Sequence, residues 1–508
     1  MGRRSKRLKS NQLSNNQKSS ASFDIKITNH LDENMNSIKT MLGEPDDLVI
    51  REINSENYKF AIVYIDGLVD TDLINNNILK MIQEKMGSSE FHSLTDIYNN
   101  MIAIANIKIV KTLDDVSLAL LSGSTAFYLD GQDTVILIGT ETSEKRAIDE
   151  PTSESLVRGP KDGFIENLNT NIALIRNDIK DPNLRLKTHY VGKRSKQRVV
   201  VSYIDGIVND QLVDEVNRRL ASIGTDFVLD SGEVEQWIQD SFLSPFPQLI
   251  DTERPDRVTQ ALMEGRVAIL VEGTPFTLIA PITFSDSMLS MEDYSQRWLT
   301  SSVIRLLRYV ASFFAIFSPS LYIALVSFHP DLLPSQLVFT IQAAREGVPF
   351  PAVIEALLMA ITFEILHEAG IRLPKIIGST IGIVGGLVIG EAAVTAGIVS
   401  PVMVIVTAIT AIASFTIPQY SLAIAFRALR FTYMIAAATL GLYGIVLAFI
   451  MTTTHMANLK SFGVQYTAPF APVNLHDMKN SFIRAPFVLI KRRPSFLKVK
   501  DERKRSLS

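Results

Sequence analysis

The stretch Phe431-Thr-Tyr-Met-Ile-Ala-Ala-Ala-Thr-Leu-Gly-Leu-Tyr-Gly-Ile-Val-Leu-Ala-Phe-Ile-Met-Thr-Thr-Thr454 runs for 24 residues without a charge. On a helix, about 20 such residues are enough to cross a ~30 Å hydrocarbon core. The setting strengthens the reading. Between Pro374 and Thr454 only Lys375, Glu391, Arg427 and Arg430 are charged, in a chain that averages 20% charged residues. No water-facing surface is that poor in charge, so the back half of the chain reads as an all-α, multi-pass membrane domain.

Four more segments extend this reading toward the N-terminus. Val399–Ile417 is closed by Pro418, and Ile376–Ala396 and Pro351–Gly370 precede it. Tyr309–Phe328 gives 20 uncharged residues with Pro319 inside, which predicts a kink or close packing against a neighbour. Arg305 and Arg308 before the first run, Arg372 and Lys375 before the third, and Arg427 and Arg430 before the last mark cytoplasmic positions. The tail Arg484–Ser508, with nine basic and two acidic residues, prefers the same side. Five crossings satisfy the loops but put that tail outside. One segment is therefore expected to be re-entrant or half-inserted, with Pro351–Gly370 and Ile376–Ala396 as suspects.

Those two suspects carry the polar and glycine features of the region. Pro351–Gly370 holds Glu355, Glu364, His367 and Glu368. Each acid facing lipid at mid-bilayer would cost about 2.5–3.5 kcal/mol, so this face lies in the interface, packs on another subunit or lines a wet pathway. Glu364 and His367 have the spacing of half a di-iron site without a second copy, and Ile371 replaces the second histidine of a zincin motif. In Ile376–Ala396, Gly378, Gly382, Gly386 and Gly390 recur every fourth residue and form a bare ridge. Such a ridge lets helices approach backbone to backbone, either as plain packing or as a pliant wall around a pore. Glu391 follows it, and an intramembrane acid is a functional candidate by default.

The first 300 residues read differently. Lys59-Phe-Ala-Ile-Val-Tyr-Ile-Asp-Gly-Leu-Val69 aligns without a gap on Arg198-Val-Val-Val-Ser-Tyr-Ile-Asp-Gly-Ile-Val208, an offset of 139. Each predicts a buried strand, a tight turn and a helix. Gly123-Ser-Thr-Ala-Phe-Tyr-Leu-Asp-Gly131 matches Gly265-Arg-Val-Ala-Ile-Leu-Val-Glu-Gly273 at an offset of 142, and each predicts a hairpin. The soluble part is therefore an α/β module of two similar subdomains. The Asp-Gly pairs are explained by turn chemistry, with a ligand cleft between the lobes as the functional alternative. The expected division is a basic, mostly disordered tail over 1–49, subdomains over 50–150 and 151–300, a transmembrane domain over 301–456 and a basic cytoplasmic tail over 457–508.

Composition removes several classes. There is no cysteine, so disulfide, thiolate and Cys-zinc chemistry are excluded, and a net charge of −3 argues against nucleic acid as a partner. Six basic residues and no acid in residues 1–22 fit a solvated tail or a weak attraction to anionic lipid. The N-terminus lacks the apolar core of a secretory signal, so the module is expected in the cytoplasm. No nucleophile–base pair, phosphate loop or metal set is evident, which predicts a protein that is not an enzyme and needs no cofactor.

With these features in place, the chain resembles the A subunits of GerA-type spore germinant receptors. The likeness runs over about 150–470 and more faintly over 50–150. It is carried by Pro151-Thr-Ser-Glu-Ser-Leu-Val-Arg-Gly-Pro160, Gly163-Phe-Ile-Glu166, Asn171-Ile-Ala-Leu-Ile-Arg176, Ser244-Pro-Phe-Pro-Gln248, Glu253-Arg-Pro-Asp-Arg257, Gly347-Val-Pro-Phe-Pro351, Glu368-Ala-Gly-Ile-Arg-Leu-Pro374 and the glycine ridge. One departure is visible: Glu391 stands where the family usually has Gln.

The resemblance implies a nutrient-sensing subunit in the inner membrane of the bacterial spore that triggers germination. It implies self-association into a ring forming a ligand-gated ion channel, with a transporter-like B subunit and a lipoprotein C subunit as partners. Val384, Val388 and Glu391 are then candidates for pore lining or gating. The alternative is a secondary transporter of a small nutrient or ion, which predicts an inverted repeat in the membrane half.

Overall fold

The structure, a computed structural model, describes residues 25–54, 59–80, 107–141, 150–151, 153–372, 386 and 388–504. It divides into two compact units, Met1–Ser143 and Glu144–Ser508. In the first unit the elements are α1 (Leu31–Leu42), β1 (Leu48–Asn54), β2 (Lys59–Ile65), β3 (Ile107–Val110), α2 (Leu113–Leu120), β4 (Ser124–Leu129) and β5 (Val135–Gly139). The strands form one antiparallel sheet in the order β1-β2-β4-β5-β3. α1 corrects the expectation of a mostly disordered tail up to residue 49. Leu31, Met35, Ile38 and Leu42 recur at helical spacing and are all buried, and Gly43 ends the helix in the left-handed region at φ 73°.

The second unit opens with the same plan. Its elements are α3 (Leu168–Asp178), β6 (Leu184–Val191), β7 (Gln197–Ile204), α4 (Asp210–Ala221), α5 (Ser231–Ile238), β8 (Ile250–Thr252), α6 (Pro255–Glu264), β9 (Val267–Val271) and β10 (Thr277–Ala280). The sheet order β6-β7-β9-β10-β8 repeats that of the first sheet strand for strand. The matched turns repeat as well: Gly67 and Gly206 sit at φ 81° and 80°, and Gly131 and Gly273 at φ 82° and 80°. A side chain rarely adopts that backbone, which explains why the turn glycines mark the duplication in the sequence.

After this sheet come α7 (Trp298–Ser327), α8 (Ser335–Arg345), α9 (Ala352–Arg372), a helical stretch at 388–395, α10 (Pro401–Ser414) and α11 (Tyr420–Asn458). Among the described residues two helices, α7 and α11, are long and apolar enough to cross a membrane, and α10 is a shorter apolar helix. α10 falls short of the predicted Val399–Ile417 because Ser400 caps its N-terminus and Phe415 its C-terminus.

α11 corrects the reading of Phe431–Thr454 as one crossing. Its backbone is non-helical at Gly441 (φ 59°, ψ −138°). The Tyr433 hydroxyl donates to Thr452 Oγ1 at 3.1 Å, although 19 residues of straight helix would separate them by about 28 Å. The helix therefore doubles back into two arms, 420–440 and 442–458, and Phe317 of α7 packs on both through Tyr433 and Phe449. The tip at Gly441 lies against Phe328 and His329, just past the end of α7.

This fixes which ends of the helices lie together. One end of the bundle carries Trp298 and both ends of α11 and adjoins the second α/β subdomain. There Gln419 and Ser421 bond Asp251, and Ser244 bonds His455. The other end carries Phe328, Gly441, Ser400 and the start of α9, joined by the Tyr322–Ser400 and Glu355–Ser400 bonds. The tail after α11 returns to the subdomain, where Lys504 pairs with Glu264 at 2.8 Å. The last apolar run therefore starts and finishes at the same end of the bundle, on the side where the basic tail meets the subdomain.

Candidate functional site

Three charge clusters hold the helical region. At the foot of α7, Arg305 and Arg308 both reach the Asp293 carboxylate at 3.1 Å, and all three are buried. These arginines, which precede the apolar run, lie inside the helix, which starts at Trp298. One carboxylate shared by two guanidiniums explains how they stay buried. The backbone N–H of Arg484 donates to Ser302 Oγ at 3.2 Å, which clamps the tail to the same foot.

At the opposite end Glu355 is fully buried. It receives Arg345 at 2.9 Å and the Ser400 backbone N–H at 2.9 Å, so it binds α8 and α9 to the start of α10. Nearer the subdomain, Glu364 takes Arg430 and, at 3.6 Å, Arg427, while His367 Nδ1 accepts from Arg427 at 2.7 Å. Arg427 and Arg430 are corrected too: they lie inside the first arm of α11, where the apolar helix starts at Tyr420 and turns them onto α9. Glu368 instead pairs with Arg372 at the exposed surface.

All four polar residues predicted on α9 are thus answered by cations of the same chain, Glu368 at the exposed surface. A signal was available, since Arg345, Arg427 and Arg430 are among the few cations in a charge-poor region. Both Glu364 and His367 turn onto Arg427, a poor setting for a metal, and among the described residues no group of three or more His, Asp or Glu could hold one.

The structure brings part of the glycine ridge against α10. A Cβ on Gly390 would meet Val404 Cγ1 at 3.4 Å, whereas one on Gly386 would meet nothing within 4 Å. Val388 is 54% exposed and Glu391 is exposed, so both face away from this chain's own bundle. Gly378, Gly382 and Val384 lie outside the described residues.

The junction between the sheet and the bundle is the richest candidate for transmission. Asp251 on β8 accepts from the Gln419 amide and, at 3.1 Å, from Ser421 Oγ, gripping the start of α11. Ser244 and Phe246 hold its end through His455, by a 2.9 Å hydrogen bond and a ring stack at 6.0 Å. Ile417, Leu422, Ala425 and Phe426 share one hydrophobic cluster with Ile250, Leu270 and Ile279 of the sheet. Glu235 on α5 lies in the field of Asp251. Burial, with that neighbouring carboxylate, pushes its carboxyl up to about 8. Sequence reasoning missed this junction because its partners are about 170 residues apart.

A family profile described as Bacillus/Clostridium GerA spore germination protein matches residues 36–496. Spore germination protein GerLA of Bacillus cereus is 46% identical over 94% of this chain and 97% of its own length. Spore germination protein KA of Bacillus subtilis (strain 168) is 40% identical over 94% of this chain and 88% of its own. A solved structure, the N-terminal domain of the A subunit of the Bacillus megaterium spore germinant receptor GerK3, is 35% identical and covers 51% of this chain and 97% of that one, with a TM-score of 0.41.

Proposed function

The chain belongs to the Bacillus/Clostridium GerA spore germination protein family, and from that premise we propose that it is the A subunit of a germinant receptor in the spore's inner membrane. In this reading α7, α9, the segment running to Ser400, α10 and the two arms of α11 make six passes. The α/β subdomains at 50–150 and 151–300 and the tail from 457 then share the cytoplasmic face. Outward apolar residues such as Leu306, Val310, Ile405, Ile409 and Ile450 support lipid contact. The subunit self-associates into a ring that encloses an ion pathway, with B and C subunits as its partners.

The observation that carries the reading is the grip of the α/β subdomain on both ends of α11. A ligand-driven shift of that subdomain reaches the bundle through packed elements, as a two-state gate requires. Val388 and Glu391, turned away from their own bundle, and Val384 are the proposed lining. With the complex reconstituted in vesicles, Val388→Ala is expected to raise basal ion leak, and unchanged permeability would remove Val388 from the pore. A second reading, the secondary transporter, is favoured by the broken helix at Gly441, since such proteins use interrupted helices. Uptake of a nutrient by vesicles holding this chain alone would select it; leak without uptake selects the channel.

A further inference from the structure

A cavity of about 160 Å³ opens where the ends of α9 and α10 meet the start of α11. Its walls include the rings of Phe363, Phe415 and Tyr420, together with His367 and Arg427, and Ser153 from the segment preceding the second sheet also lines it. His367 stacks on Phe415 at 5.5 Å, and the Arg427 guanidinium lies 5.8 Å from the Tyr420 ring centre. The volume matters: about 150 Å³ suffices for a benzene-sized guest, whereas one water takes about 30 Å³ of liquid.

The charge around it is unbalanced. Among the described residues Glu364 is the one carboxylate paired with both Arg427 and Arg430, so that trio carries one excess positive charge. Arg427 donates hydrogen bonds to His367 alone among the described residues, and its side chain is only 13% exposed. A guanidinium with unused donors, half enclosed beside aromatic walls, is matched by an oxyanion that brings a flat apolar body with it.

We infer that this cavity binds a small organic oxyanion, its charged end on Arg427 and its body between the rings of Phe363, Phe415 and Tyr420. The site joins α9, α10 and α11 with the segment holding Ser153, so an occupant would tie the bundle to the α/β subdomain. A soluble carboxylate and a lipid phosphate offer Arg427 the same chemistry; the aromatic walls favour the former. This inference goes beyond the receptor assignment and does not depend on ion conduction.

The test is equilibrium binding of benzoate to the purified full-length chain in lipid-free detergent, followed by titration with short-chain phosphatidylglycerol. Saturable benzoate binding is expected, weakened about ten- to a hundredfold by Arg427→Met and retained by Arg372→Met. Ala423 also lines the cavity; Ala423→Leu, which fills it without removing a charge, is expected to weaken binding too, and thermal melting verifies that each variant is folded. Saturable binding of phosphatidylglycerol but not benzoate, lost in the same two variants, keeps the oxyanion site and assigns it to lipid. Absence of both, or binding indifferent to Arg427→Met and Ala423→Leu, overturns the inference.

Discussion

Gly441 is the residue on which the path of the chain turns. Its backbone conformation is one that side chains avoid, and a Cβ there would lie 2.9 Å from Phe328 Cβ and 3.0 Å from His329 Nε2. Gly441→Ala is therefore expected to lower stability by about 1–3 kcal/mol from backbone strain alone, read as a drop in melting temperature in detergent. Gly370→Ala, where a Cβ meets open space, should leave it unchanged. Glu355→Gln tests the buried ion pair. Leaving Arg345 without its carboxylate should cost about 3–5 kcal/mol, well beyond the effect of Glu368→Gln at the exposed Arg372 pair. Glu235 carries a pH dependence whose sign is fixed. Below its ordinary value of 4.5 the carboxyl is neutral whether folded or not. From there to about 8 the unfolded chain ionises it while the fold keeps the proton, so stability falls as pH rises and levels off above that point. Glu235→Gln is expected to flatten the melting temperature between pH 5 and 8; an unaltered slope would remove Glu235 as its source.

At the scale of elements, the doubling of α11 predicts proximity between residues 433 and 452. The chain has no cysteine, so Tyr433→Cys with Thr452→Cys introduces the only thiols. A cross-linker too short to span that length of straight helix should join them in high yield, whereas failure to react would indicate a continuous helix. The repeated strand–turn–helix blocks were legible in the sequence because β-branched runs ending in Asp-Gly are local signals, and both sheets follow from them. The break in α11 was not, since Gly441 and Gly444 sit inside a run whose hydrophobicity is uniform. The indirect signal was the basic tail after Arg484, which an odd number of passes could not place with the module. The partners of Glu355 and Glu364 were hidden for another reason: burial of a carboxylate is readable from its apolar neighbours, but which distant arginine answers it depends on tertiary packing. The same limit kept the Asp251–Gln419 junction out of view.

At the scale of the whole molecule, the six passes proposed above would return the tail to the side of the second α/β subdomain. Single cysteines at Arg194 in the second subdomain, Lys479 in the tail and Asp331 beyond α7 probe the two faces in sealed, oriented membrane vesicles with an impermeant maleimide. The account predicts that positions 194 and 479 react from the same side and position 331 only from the opposite one. Labelling of 194 and 479 from opposite sides, or of all three from one side, would contradict it.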